Sequence, residues 1–297
     1  MPTGFGRDGT ATARHGSIVS ITGAIPGEAV RVRALAHRRG VTHARIVEVL
    51  DPSPDRVVPP CAEIANGCGA CPWQHLDLAA QRRAKVDRVA AALGVDVDEL
   101  EPLVPLAATG FRTTIQAAVD RGRAGFRRYR SHRVVPVAGC LVAHPLLVDL
   151  VTEARYGDAT EVLLRCGSRT GERMAAPIPH GAAISVPDDV HRDRIHEEAA
   201  GRRWRISADS FAQASPEATE ALVDAVLRAA DEVPIRRALD LYSGVGIFAG
   251  ALADRGWSVT AFEGAPSAVA DARHNLRDLE VAVVEDDVTA WRAEAAE

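Results

Sequence analysis

Five cysteines stand out in the 297-residue chain, and four of them have ligand-like settings. Cys61, Cys68 and Cys71 fall within eleven residues, the last two inside Asn66-Gly-Cys-Gly-Ala-Cys-Pro72, and Cys140 follows Ala138-Gly139. Glycines let a loop wrap a metal and aim amide groups at sulfur, and a proline after the last thiol stops the loop from becoming helix. Cys61, Cys68, Cys71 and Cys140 therefore outline a four-thiolate metal site. Zinc and a four-iron cluster both accept four thiolates. A zinc ribbon uses two Cys-x-x-Cys knuckles and only one is present here, so spacing leans toward iron–sulfur and leaves zinc open. The competing reading is four thiols buried as small hydrophobes. Cys166, in an apolar strand-like run, reads as core.

A second constellation lies in Asp240-Leu-Tyr-Ser-Gly-Val-Gly-Ile-Phe248. Gly244 and Gly246 join a strand to a helix, where backbone can approach a ligand at the positive end of the helix. Glu263 ends the next strand, placed to accept from the hydroxyls of an adenosine ribose. S-adenosylmethionine and NAD share that ribose. Asp240 tilts the choice: beside the turn it would repel a pyrophosphate and attract a methionine ammonium. A ligand-free tight turn is the plain alternative. Asp286-Asp287, after the third strand, is a weaker candidate for the adenine end.

Charge is uneven. Residues 1–140 carry 19 Lys and Arg against 13 Asp and Glu; the rest carry 16 against 27. Arg121, Arg123, Arg127, Arg128, Arg130 and Arg133 alternate with Phe126 and Tyr129. Arginine forks grip phosphate and aromatic faces stack bases, so an RNA surface competes here with a solvated hairpin. No apolar run reaches the roughly 18–20 residues of a membrane span, and the first residues lack a signal-peptide layout. The expectation is a cytoplasmic monomer with no membrane partner, in a compartment where structural disulfides are rare.

The elements that must position these groups follow from pattern. Ser17–Ile21, Glu28–Arg33 and Ala44–Leu50 alternate as short strands of a small barrel. Residues 75–93 have helical spacing. Thr113–Val119, Val134–Val137, Glu161–Arg165 and Ala182–Val186 are strand candidates. From Ser215 onward the order is helix 216–230, strand 237–242, helix 247–255, strand 257–263, helix 266–279 and strand 281–284, the start of a parallel doubly wound sheet.

Taken in order, these pieces resemble the iron–sulfur RNA (uracil-5-)methyltransferases, which act on tRNA or 23S rRNA. Ile25-Pro-Gly-Glu28 within residues 16–50 resembles the TRAM module, an OB-like barrel. Ser53-Pro-Asp-Arg56, Pro60-Cys61 and Cys68-Gly-Ala-Cys-Pro-Trp-Gln-His75 are similar to the cluster loop. Gly125-Phe-Arg127 and Ser131-His132 match the central domain, and Phe211-Ala-Gln213 resembles the Phe-x-Gln-x-Asn element, with Ser215 in place of its asparagine. Ser243 stands where many relatives have cysteine, Ile247 where a polar residue is common, and the first barrel strand is expected to be absent or cut short.

The resemblance implies an α/β chain in four parts: a TRAM-like β-barrel (1–55), an Fe–S loop and helix (56–95), a central α+β RNA-binding domain (96–205) and a partial Rossmann-like methyltransferase domain (206–297). It implies S-adenosyl-L-methionine and a [4Fe-4S] cluster as cofactors, with Cys61, Cys68, Cys71 and Cys140 as ligands. Gln213, Tyr242, Gly244, Gly246, Ile247, Glu263 and Asp287 would bind the methyl donor, and Arg123, Arg127, Arg128 and Arg130 the RNA. It implies methylation of uridine C5. A cysteine adds to C6 and a carboxylate later removes the C5 proton. Both are expected beyond residue 297, so the chain alone is expected to be inactive. Two alternatives predict other behaviour: a non-catalytic RNA-binding Fe–S protein binds RNA without methyl transfer, and an NAD-dependent oxidoreductase is protected by nicotinamide.

Overall fold

The computed structural model describes residues 1–6 and 8–287. The chain forms two compact units: Met1–Pro105 with Arg127–Val135, and Leu106–Phe126 with the chain from Pro136 onward.

The first unit is built on a five-stranded sheet in the order β1-β2-β3-β5-β4, with β1 Gly4–Phe5, β2 Ala11–His15, β3 Ser17–Thr22, β4 Ala29–Arg38 and β5 Val41–Asp51. Its inward face carries Ala11, Ile21, Ala24 and Ala44, with Phe5, Ala13, Val19, Val30 and Ile46 packed around them. The sheet is open where a closed barrel is expected. The two-residue β1 pairs only with β2, and closure would need a ladder between β1 and β4. Two strands precede Ser17, the first only two residues long. The two sequence motifs at 25–28 and 53–56 meet in a buried ion pair. Glu28, fully buried, accepts from Ile25 N (2.9 Å), Ser53 N (3.2 Å) and Arg56 Nη2 (2.7 Å). Burial would raise the Glu28 carboxyl, but the Arg56 guanidinium and the two amides outweigh it and hold it below the ordinary range. Helix α1, Leu78–Leu93, starts where the Asp77 side chain accepts from Ala80 N and ends at left-handed Gly94.

The second unit holds a mixed sheet in the order β11-β10-β9-β6-β7, with β6 Thr114–Asp120, β7 Arg123–Arg127, β9 Glu161–Cys166, β10 Arg173–Ile178 and β11 Val190–His191. A further short strand, β8, is Val134–Pro136. Helix α2, Pro145–Thr152, buries Leu147, Leu150 and Val151 in the core of that sheet. The expected strand Ala182–Val186 is a coil with one bridge, Arg155 to Ser185. Its apolar alternation is satisfied by Ala182, Ile184 and Val186 packing on the core instead of by a ladder. A ribbon, β12 Arg194–Ala199 with β13 Arg202–Ser207, precedes helix α3, Pro216–Asp231. Then come β14 Arg237–Leu241, α4 Ile247–Ala253, β15 Ser258–Glu263, α5 Pro266–Asn275 and β16 Val281–Glu285, with the three strands parallel and adjacent in sequence order. Trp204, Ala249, Leu252, Val259, Ala261, Ala272 and Leu276 form the core under this sheet. Among the described residues no helix is long and apolar enough to cross a membrane.

Candidate methyl-donor site

Parallel α/β sheets bind ligands at the carboxyl ends of their strands. There the second unit places Asp240, the 242–246 turn, Glu263 and Asp286-Asp287. The turn is held from inside. Ser243 N donates to Phe262 O (3.0 Å) and Gly246 N to Ser243 O (3.0 Å). Gly246 has φ +93°, and a Cβ there would lie 2.7 Å from Leu276 Cδ1, so only glycine fits. Gly244 differs: a Cβ there would meet nothing within 4 Å, which leaves open space over the turn. Tyr242, at φ +61°, is exposed beside it.

Glu263 is tied to this turn. One carboxylate oxygen accepts from Gly244 N (2.8 Å) and the other from Ala265 N (2.8 Å). A carboxylate has about four acceptor positions, so capacity remains for hydroxyl donors. Asp240 is mostly buried and accepts from Ala249 N (2.9 Å) in the first turn of α4. Burial, with the nearby Glu263 charge adding, pushes its carboxyl up to about 6 against the pull of the Ala249 amide. Gln213 and Ile247 line one small cavity of about 20 Å³ together with Thr113, Ser215 and Thr219. Ser215 is buried as the N-cap of α3, its hydroxyl accepting from Ala218 N (3.1 Å). Ser243 is buried and its hydroxyl has no hydrogen-bond partner among the described residues. Asp287 is exposed just beyond β16.

The cysteines behave differently. None of the five forms a disulfide. Cys61, Cys68 and Cys71 lie in the first unit and Cys140 in the second, all half-buried. Among the described residues no three His, Cys, Asp or Glu side chains group closely enough to hold a metal ion. The loop is held by other bonds. Cys61 N donates to Gln74 Oε1 (3.1 Å), Cys68 N to Glu63 O (2.9 Å) and Gly69 N to Arg127 O (3.1 Å). Trp73 Nε1 donates to Gly9 O (2.7 Å) and its ring packs 4.9 Å from Phe5, so this tryptophan anchors the loop to the sheet. Cys166 is buried and burial pushes its thiol up to about 12, which makes it a core residue and no nucleophile.

Of the expected RNA contacts, Arg123 and Arg127 are exposed on β7. Arg128 and Arg130 are exposed too, but each has partners within the first unit. The Arg128 guanidinium lies over Gly67, and Arg130 pairs with Asp8 and His43 and sits 5.5 Å over the Tyr129 ring. Sequence reading missed Asp271 and Asn275, which are buried on α5 and bonded to β13 and to the glycine turn. Their signal was two polar residues one turn apart on a helix face otherwise made of Ala268, Ala272 and Leu276.

No family model matches the chain. It is 35% identical to an uncharacterized RNA methyltransferase of Streptomyces avermitilis, over 94% of this chain and 74% of that protein. It is 30% identical to a 23S rRNA (uracil(1939)-C(5))-methyltransferase of Chromohalobacter salexigens, over 91% of this chain and 66% of that one. Its fold matches the crystal structure of Pyrococcus abyssi tRNA (uracil-54, C5)-methyltransferase in complex with S-adenosyl-L-homocysteine, with a TM-score of 0.74 and 19% identity, over 99% of this chain and 80% of that one. The expected inactivity of the chain finds no support in these matches. With the Streptomyces relative at that identity and coverage, the chain belongs to the RNA methyltransferases.

Proposed function

We propose that the protein transfers a methyl group from S-adenosyl-L-methionine to C5 of a uridine in ribosomal or transfer RNA. The single observation that carries the cofactor assignment is Glu263, fixed by Gly244 N and Ala265 N beside a turn with open space above it. Bound there, the cofactor supplies an electrophilic methyl group. The chain's own groups bind and orient it: Glu263 accepts from the ribose hydroxyls, Asp240 faces the ammonium, and Gly244 and Gly246 let backbone approach. Gln213, Tyr242 and Ile247 line the methionine side, and Asp287 lies toward the adenine. The names of the Chromohalobacter and Pyrococcus proteins support uridine C5 as the acceptor.

In this reading Arg123 and Arg127 contact the RNA, and the first unit's own sheet offers two outward rows. Arg14, Ile18, Val41 and Arg38 pair across four strands, and Thr22, Arg45 and Arg33 across three. These four arginines are exposed. The donor chemistry of Cys61, Cys68, Cys71 and Cys140, partly accessible thiols outside any disulfide, suits a [4Fe-4S] cluster of structural role.

Transfer of tritiated methyl to uridine-containing RNA tests the reading, with Glu263→Ala as the blank. Label at uridine C5 that vanishes in the variant supports it. RNA binding without any transfer would favour a binding protein. Iron and acid-labile sulfide in protein purified without oxygen, lost in Cys71→Ser, test the cluster.

A further inference from the structure

The methyl-donor reading uses two separate stretches of chain, the 242–246 turn and the 211–213 segment. Neither contacts a common ligand unless both are set to the same reference. One buried helix face supplies that reference. Asp271, on α5, is fully buried and accepts from Arg205 Nε (2.7 Å), Ser207 N (2.7 Å), Ser207 Oγ (2.9 Å) and Ser210 Oγ (2.7 Å). One turn later, Asn275 accepts from Arg205 N (2.8 Å) and donates to Arg205 O (3.1 Å) and to Val245 O (3.0 Å). Val245 is the residue between the two glycines of the turn. From the opposite side, buried Arg165 on β9 donates to Ser207 O (2.7 Å) and Ser210 O (2.9 Å). Residues 207–210 are thus clamped between a buried cation and a buried anion, and the chain leaves the clamp straight into Phe211-Ala-Gln213.

A charge with no solvent contact is strongly disfavoured unless it is fully bonded, so packing alone does not explain Asp271. Apolar residues would fill the same place on a face that already carries Ala268 and Ala272. We infer that Asp271 and Asn275 are positioning residues, which hold the Gly244–Gly246 turn and the Gln213 segment in register for one bound ligand. This inference rests on the proposed S-adenosylmethionine site. The polar pair fixes direction as well as distance. Four donors converge on one carboxylate, so segment 205–210 cannot slide along α5 without losing bonds that water cannot replace in the interior.

Titration calorimetry of the full chain with S-adenosylhomocysteine tests this in a double-mutant cycle between Ser210→Ala and Gln213→Ala. Ser210→Ala removes one bond to Asp271 and should weaken affinity about fivefold, the scale of one hydrogen bond. Ser210→Thr, which keeps the hydroxyl, should restore it. The decisive figure is the cost of Gln213→Ala. It should fall to less than about twofold in the Ser210→Ala background, because a displaced segment no longer presents the amide. An equal cost in both backgrounds overturns the positioning role, and so does a Ser210→Ala protein with unchanged affinity. Wild-type chain that fails to bind S-adenosylhomocysteine sinks the cofactor site itself and takes this inference with it. Asp271→Asn, if it folds, should show the larger loss of affinity.

Discussion

At the scale of single residues, Asp240 has the clearest pH signature. Its carboxyl is pushed up to about 6 in the folded chain. The folded state therefore holds that proton more tightly than the unfolded state does. The resulting stabilisation is complete below the unfolded value and is lost as pH rises through 6. Asp240→Asn keeps an acceptor for Ala249 N and removes the buried charge. It should stabilise the ligand-free protein at pH 7.5 by on the order of 1–3 kcal/mol, with the gain shrinking as pH falls and vanishing only below the unfolded carboxyl value. Thermal melts across that range check it; a gain independent of pH would refute the assignment. The same variant should bind S-adenosylhomocysteine more weakly at pH 7.5, because the ammonium loses its counter-charge. The two glycines should respond unequally. Gly246→Ala drives a methyl group into Leu276 at an unfavourable φ and should cost about 2–4 kcal/mol in urea unfolding, against about 1 kcal/mol for Gly244→Ala, which meets open space. Of this site, the turn and Glu263 were legible in the sequence because glycine spacing and strand ends are local. The clamp around Asp271 was not, since its partners come from residues 165, 205–210 and 245, far apart in the chain.

At the scale of elements, legibility followed how local each signal was. The helix was readable from spacing as 75–93, although Asp77 caps it and starts it at Leu78, and the α/β alternation after Ser215 was readable from its caps and turns. The ribbon Arg194–Ala199 with Arg202–Ser207 was not read as strands. Its alternation is written largely in Arg, His and Glu, with the Glu197 carboxylate itself buried, and the apolar residues on the buried side are just Ile195, Ala199, Trp204 and Ile206. The 182–186 run shows the opposite error, apolar alternation without a ladder. The motif 25–28 was visible as letters but not as half of an ion pair with Arg56. Removing one partner leaves the other charge buried, so Arg56→Met should destabilise the chain by about 3–5 kcal/mol. Glu28→Gln with Arg56→Met together should cost less than the sum, and chemical denaturation of the four proteins measures the difference. The Glu28 carboxyl lies below its ordinary range, so its contribution is present above the unfolded value and fades as the medium turns acid.

At the scale of the whole molecule, the excess of basic residues up to position 140 reaches the surface on a face the sequence did not single out. The motif around 127–130 drew attention because its arginines are contiguous. The rows of Arg14 with Arg38 and of Arg33 with Arg45 are assembled only by strand pairing. Arg33→Glu with Arg45→Glu should weaken RNA binding about tenfold near 0.1 M salt and flatten the dependence of log K on log salt by about 1–2. Filter binding over a salt series measures both, and an unchanged slope would place the RNA elsewhere. Arg128→Ala should instead lower the melting temperature, since that side chain covers Gly67. The same corner constrains any engineering of the cysteine loop. A side-chain carbon on Gly69 would fall 2.2 Å from Tyr129 N, so residues 61–75 and 127–133 are moulded to each other across a long stretch of intervening sequence. A transplant of the thiol loop into another scaffold must carry the distant hairpin with it, and chimeras joined anywhere between the two segments should fail unless both come from one parent.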